Sequence, residues 1–323
     1  HDLAGAGFGQ VFTKPDVLGF GDGANLFGHP VAQLLGNRAR QERLEAEERH
    51  RQSLEEKHQH AREALEHFRT SAKDAIQATF VVDDIVKRGW TKVAVFADTT
   101  GYGEAGLKDV EAALATHNLK PVHVARFSTG VKDLGAELKA AREAGANAIV
   151  GYTVGPENAV IAKGRKALKW DVPFVGPWTL SFPFFIDGAK DAAEGALVVQ
   201  TFIAEPSNER RASFLANYAR KFNATRISVP VAAAQGYDSA YLLMHALFGV
   251  RGGQPDGPAL KVALENIQRN YYGVVSTYEK PFSANDKDAV TANMLYLGQV
   301  KNGSVTFAYP EDAKRNLFVQ RKQ

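Results

Sequence analysis

Eight side chains in this sequence combine hydrogen-bonding or aromatic groups with positions suited to holding a small solute. Threonine hydroxyls can donate hydrogen bonds to a carboxylate, aromatic rings can stack on a solute or hold a cation, and an aspartate can pair with an ammonium group. The sequence has neither a G-x-S-x-G elbow nor a G-x-x-x-x-G-K-[ST] loop, so we expect binding rather than catalysis. The eight candidates are Thr99, Thr100, Tyr102, Thr153, Trp178, Thr179, Tyr237 and Asp238.

Short apolar segments precede most of these candidates and are typical of buried strands in a parallel sheet. The residues from Val93 to Phe96 form a nearly continuous apolar run, as expected for a strand covered on both faces. The residues from Ala105 to Leu114 then show the 3.6-residue periodicity of an amphipathic helix. The loop between them, residues 98–103, follows the carboxyl end of the strand, where open α/β sheets bind their ligands.

The same strand and helix unit repeats along the chain. Strands alternating with helices of this length predict a parallel sheet with right-handed crossovers. The further predicted strands are residues 121–127, 148–152, 172–175 and 197–202, and the helices between them include residues 131–144 and 157–168.

Composition limits the classes of function that remain. The 323 residues, 45% of them hydrophobic, suffice for two ordinary cores. A net charge of +3 without a basic tract argues against a nucleic-acid partner, and no apolar run reaches the length of a membrane span. The absence of cysteine excludes thiol catalysis and is compatible with an oxidising compartment. Because the chain opens at His1, we expect any export signal to have been removed already.

Six ordered motifs from Phe68 onward carry a resemblance to a known family. The chain resembles the type I periplasmic solute-binding proteins, and within them it is most similar to the branched-chain amino acid (Leu/Ile/Val) receptors of ABC transporters. The motifs are FRTSAKDAIQA, WTKVAVFADTTGYGEAG, RFSTGVKDLGAELKAAREAGANAIV, VPFVGPW, DAAEGALVVQTF and AAQGYDSAYLLMHAL.

The resemblance implies an α/β architecture of two doubly wound lobes, joined by three hinge crossings and closing over a small solute. It assigns residues 68–203 to the second lobe, residues 204–290 to helices returning to the first lobe, and residues 291–323 to the last crossing and terminal strands. Within the last segment, Lys301-Asn302-Gly303 predicts a hairpin turn. The family further implies a periplasmic, monomeric receptor that has no cofactor and delivers its solute to a membrane permease.

The first 67 residues depart from this pattern, so we expect an incomplete first lobe. Residues 1–36 are rich in glycine and contain no recognisable strand, and residues 37–67 carry seven Lys/Arg and eight Asp/Glu, typical of a solvated helix. Four histidines there, His50, His58, His60 and His67, do not align on one face as metal ligands would. A segment foreign to the rest is the first explanation, and a natural replacement of half a lobe is the alternative.

The family also suggests what some candidates do. Tyr102 occupies a loop position where members commonly place an aromatic residue that contacts the solute, although packing against the following helix is an alternative. Amino acid receptors often have a carboxylate after the fourth strand, where this chain has Trp178. Because a buried ammonium needs a partner, this difference favours apolar or aromatic solutes, or a cation held over the ring. Asp238 could replace the missing acid, or it could complement the dipole of a helix as a first-turn residue.

Three functions follow as hypotheses. The first is an extracytoplasmic receptor for an aliphatic or aromatic amino acid or related carboxylate. The second is a regulatory ligand sensor on the same fold, of the amide-responsive type. The third is an enzyme whose site combines Asp98, Tyr102 and Asp238. If the first lobe truly lacks half its structure, the sequence predicts no measurable solute binding.

Overall fold

The computed structural model describes residues 38, 40–53, 67–250 and 255–315. The chain divides into two units, His1–Ala61 and Arg62–Gln323. In the first unit, residues 40–53 form helix α1, which is exposed along its length and is stabilised by i,i+4 pairs such as Arg43 with Glu47 at 3.1 Å. This confirms the predicted solvated helix for these residues. The glycine-rich segment, together with His58 and His60, lies outside the described residues.

One large sheet organises the second unit. Its seven strands follow the order β2-β1-β3-β4-β5-β8-β9, in which neighbours among the first five are parallel and β8 and β9 are antiparallel to their neighbours. The predicted α/β class is therefore confirmed. The strands are β1 Val93–Asp98, β2 His123–Phe127, β3 Ala148–Tyr152, β4 Phe174–Gly176, β5 Leu197–Gln200, β8 Tyr296–Lys301 and β9 Ser304–Phe307; a separate hairpin pairs β6 Tyr271–Tyr272 with β7 Thr277–Tyr278.

Helices connect and cover these strands. Helices α2 and α3 pack in one hydrophobic core with the side chains on one face of the sheet, and α4, α5 and α6 contribute to a second core on the other face. The helices are α2 Asp74–Lys87, α3 Gly101–Thr116, α4 Gly135–Glu143, α5 Glu157–Ala167, α6 Pro183–Ala189, α7 Glu209–Phe222, α8 Pro230–Gly249 and α9 Gly257–Glu265. None of the described helices is long and apolar enough to cross a lipid bilayer.

Strand β5 shows how the two cores divide the sheet. Val199 belongs to the core that contains α2, whereas Val198 belongs to the opposite core, because successive side chains of a strand point to opposite faces. Gln200 therefore shares the face of Val198. The strand ends at Gln200, two residues earlier than predicted, because its ladder with β8 ends at the pair Gln200 and Tyr296.

The predicted hairpin at the end of the chain is confirmed. Asn302 and Gly303 both have positive φ angles, 51° and 70°, which a two-residue type I′ turn requires. The carboxylate of Glu194 accepts hydrogen bonds from the backbone N–H groups of Asn302 and Gly303, at 3.0 and 3.1 Å. These bonds hold the turn against the segment that precedes β5.

Helix α8 has the composition of a buried helix but is only partly covered. One side packs inward through Val231, Ala234 and Leu242, which are buried. The other side exposes large apolar groups, including Met244 at 45% and Phe248 at 83% of their surface. A helix that is apolar all round is normally buried. Helix α9 lines a crevice beside Met244 and Phe248, yet both side chains remain largely exposed.

Candidate functional site

Tyr102 and Trp178 leave two buried polar atoms without partners at the carboxyl ends of β1 and β4. The Tyr102 hydroxyl lies near the polar groups of Trp178 and Thr179 but completes no hydrogen bond of ordinary geometry with them. The indole Nε1 of Trp178 also has no partner within the described protein. Burial raises the pKa of Tyr102 and keeps its hydroxyl protonated. Because buried polar groups are almost always paired, these two donors indicate a place for an acceptor from a solute.

The positions of both rings are fixed by neighbouring elements. Tyr102 lies in the first turn of α3, and its ring centroid is 5.0 Å from that of Tyr152 at the end of β3. Trp178 begins a short 3₁₀ helix after β4, and its ring meets Phe182 edge to face at 5.4 Å. The backbone N–H of Trp178 donates to Oε1 of Gln77 at 3.1 Å. Contacts from α2, α3 and β3 therefore hold the rings of Tyr102 and Trp178 in place.

Thr100 and Asp98 build the loop that carries Tyr102. The side chain of Thr100 caps α3 by accepting from the backbone N–H of Gly103 at 3.3 Å, and Thr100 also donates to Asp98. Burial opposes ionisation of Asp98. The hydrogen bonds that Thr100 and the backbone N–H of Val154 donate to its carboxylate outweigh burial, so the pKa of Asp98 is lowered. Thr99 is exposed. In this structure Thr100 performs local capping, and Asp98 is not a free catalytic base.

Thr153 and Thr179 belong to a buried network around the start of α5. Thr153 donates to Oε2 of Glu157 at 3.2 Å, and the backbone N–H of Gly130 donates to Oε1 at 2.6 Å. Nδ2 of Asn158 donates to the Thr179 hydroxyl at 3.4 Å. A buried carboxylate thus already lies in the first turn of α5, at a helix N-terminus that could otherwise suit an anionic solute group. We expect no second anion there.

Tyr237 and Asp238 make their contacts elsewhere, with α7 and the β6-β7 hairpin. Asp238 is fully buried and accepts four hydrogen bonds, from the hydroxyls of Tyr271 and Tyr278 and from the backbone N–H groups of Val274 and Val275, at 2.8 to 3.2 Å. Burial raises its pKa.

Asp238 had two interpretations from the sequence, as a partner for a solute ammonium and as a first-turn residue that complements a helix dipole. It lies well inside α8, which begins at Pro230, so the first-turn interpretation is wrong. A solute ammonium would have to displace one of its four donors. Tyr237 packs on Phe214 and lies near Tyr241, whose hydroxyl raises the pKa of Tyr237 to about 12.

Three glutamines extend the site from Trp178 toward the middle of the sheet. Gln77, Gln200 and Gln235 line a small crevice that also contacts Trp178 and Thr201. Gln235 donates to the Thr201 hydroxyl at 2.9 Å, whereas Nε2 of Gln200 has no partner in the described structure. None of these three glutamines is among the eight candidates taken from the sequence. Their only sequence signal is a polar residue within a buried apolar pattern.

Comparison with known proteins places this arrangement in context. A family model described as a periplasmic binding protein matches residues 62–304. A periplasmic binding protein type 1 from Bordetella pertussis Tohama I shares the fold with a TM-score of 0.64 and 21% identity, covering 74% of this chain and 66% of that one. Comparison with curated proteins finds no match.

Two further solved structures carry ligand names. A leucine-binding protein from Thermotoga maritima MSB8 has a TM-score of 0.62 and 23% identity, covering 76% of this chain and 68% of that one. A solute-binding protein of an ABC transporter from R. palustris, in complex with benzoate, has a TM-score of 0.61 and 17% identity, covering 75% and 64%. This chain thus spans about two-thirds of the length of these neighbours. At these identities the similarity shows the fold alone.

Proposed function

This chain belongs to the type I periplasmic binding protein family, and on that premise we propose that it is the extracytoplasmic solute receptor of an ABC importer. Residues 68–203 form the second lobe in this proposal, residues 204–290 return to the first lobe, and residues 291–323 complete the hinge. Residues 1–67 are foreign to the lobes. The receptor is a monomer in the periplasm, and it presents its solute to a membrane permease without changing it.

The unpartnered donors of Tyr102 and Trp178 carry this proposal. A carbonyl or carboxylate oxygen of the solute accepts from them, and the rings of Tyr102 and Trp178 contact its apolar body. The groups around this site are mainly hydroxyls, amides and aromatic rings, and the nearby carboxylates Asp74, Asp98 and Glu157 accept hydrogen bonds within the protein. Aliphatic and aromatic amino acids and related carboxylates fit such a site. The leucine-binding and benzoate-bound neighbours support the same range.

Binding shifts the receptor toward a closed state. A solute stabilises the closed form only through its differential affinity for the two conformations. The hydrogen bonds to Tyr102 and Trp178 form in the lobe described here, and closure adds contacts from the returning helices. The permease then recognises the closed form.

A thermal-shift screen tests the proposed function. We expect one member of a panel containing leucine, phenylalanine, benzoate and leucinamide to raise the melting temperature by about 5–10 °C at a hundredfold excess over its Kd. Glucose at the same concentration serves as the control and should give no shift. A cooperative transition that no member of the panel moves would contradict the proposal.

A further inference from the structure

A second crevice lies between β5 and the segment joining α7 to α8, and it shares Gln200 with the crevice beside Trp178. Its volume is about 300 Å³, at the lower end of the range for small-molecule sites. Its apolar lining includes Phe202 and Ile203 after β5 and Leu215 and Tyr218 on α7. Such walls suit an apolar body rather than a sugar or a dianion.

Gln200 provides a buried polar group in this crevice. Its side chain shares the face of Val198 and lines the crevice together with Ile186 and Val305, which pack in or against the same core. Gln200 is only 3% exposed, yet its Nε2 has no hydrogen-bond partner among the residues that the structure describes. An unpaired buried amide is costly unless a ligand or water completes its bonds. An acceptor atom at this position would satisfy the amide.

Arg226 provides a positive charge at the second crevice. It is the only Lys, Arg, Asp or Glu among the described residues that line the crevice. The nearest anion to its guanidinium is Asp187 on α6, at 3.6 Å, and both side chains are more than half exposed. An exposed pair at that separation is weak. A ligand carboxylate can therefore compete with Asp187 for Arg226, and the Ser228 hydroxyl lines the same crevice.

We propose that this crevice is a second binding site, for a monocarboxylate with a short apolar body. Its carboxylate pairs with Arg226 and accepts from Gln200, while the hydrocarbon chain lies against Ile203, Leu215 and Tyr218. A neutral compound of the same shape lacks the charge that Arg226 recognises. A dicarboxylate would leave its second charge against the apolar wall, which is unfavourable.

Calorimetric titration of the full chain with hexanoate tests this site, and hexanamide is the matched neutral probe. We expect saturable binding of hexanoate and at least about tenfold weaker binding of hexanamide. Arg226→Gln should weaken hexanoate binding about tenfold or more, and Gln200→Leu should weaken it several-fold. Asp187→Asn should strengthen it, because Arg226 loses its competing partner.

Saturation of the receptor site with the solute found in the thermal-shift screen separates the two sites, and it should leave hexanoate affinity unchanged. Equal affinities for hexanoate and hexanamide would overturn the proposal, as would wild-type affinity in folded Arg226→Gln. Loss of hexanoate binding in the presence of that solute would place hexanoate at the receptor site instead and would also overturn the proposal. Absence of hexanoate binding to the wild type would also overturn this proposal. It would not affect the proposed receptor function, which the thermal-shift screen tests with other solutes.

Discussion

Asp238→Ala should lower the free energy of unfolding by about 3–5 kcal/mol, because it leaves four buried donors without an acceptor. Those donors are two tyrosine hydroxyls and two consecutive backbone N–H groups. They join α8 to the β6-β7 hairpin, and Gly273 approaches the carboxylate so closely that a Cβ there would lie 2.4 Å from Oδ2. Urea denaturation followed by circular dichroism measures the change.

A matched variant distinguishes the effect of losing the carboxylate from the effect of a general disturbance of the core. Tyr278→Phe removes one of the four donors and keeps the ring, so we expect it to cost about 1 kcal/mol. Asp238→Ala should therefore be several times more destabilising than Tyr278→Phe. Equal and small effects of the two substitutions would show that the carboxylate does not anchor the hairpin.

Removing the donors at the receptor site should produce the largest change in solute affinity. For a compound identified by the thermal-shift screen, Trp178→Ala should raise Kd about 10- to 100-fold, because it removes the indole donor and the ring surface. Trp178→Phe and Tyr102→Phe each remove one polar group and should raise Kd about 5- to 10-fold. Calorimetric titration gives these constants directly.

Tyr272→Phe is the control for the loss of a tyrosine hydroxyl. Tyr272 is 63% exposed and lies on β6, so its substitution should leave Kd unchanged. If Tyr102→Phe and Trp178→Ala bind the solute as the wild type does, the receptor site lies elsewhere in the chain.

Local patterns were sufficient to predict most of the fold. The apolar run at β3 gave its observed bounds, Ala148–Tyr152, and the Asn302-Gly303 pair gave the turn between β8 and β9. Strand β4 begins at Phe174 rather than at residue 172, since its ladder with β3 starts at the pair Ile149 and Phe174. Such shifts depend on pairing partners, which periodicity along one segment does not reveal.

The candidate site was less predictable because its contacts join distant segments. Gln77 and Trp178 are 101 positions apart in the sequence, and their hydrogen bond depends on how α2 crosses the end of β4. Asp238 was a plausible ammonium partner from its neighbours in sequence alone. Its four donors come from a hairpin of two-residue strands, which are too short to produce a readable pattern. The sequence alone does not show which polar atoms remain unpaired, because this depends on how distant segments pack in the folded protein.

The expected loss of binding in an incomplete first lobe is also open to revision. Tyr218 on α7 and Arg226 in the segment before α8 face β5 across the second crevice. These returning elements line the second crevice and do not complete the receptor site, so the loss of binding stays a prediction that depends on a missing half-lobe. The proposed function predicts solute binding at Tyr102 and Trp178, and a titration distinguishes the two.

A calorimetric titration of the full chain with the best solute from the screen, followed by mass spectrometry of the recovered compound, tests the receptor assignment most directly. The account predicts saturable binding of one solute per chain at the Tyr102 and Trp178 site and recovery of that solute unchanged. Conversion of the solute to a product, or no saturable heat from any aliphatic or aromatic amino acid or carboxylate in the panel, would contradict it.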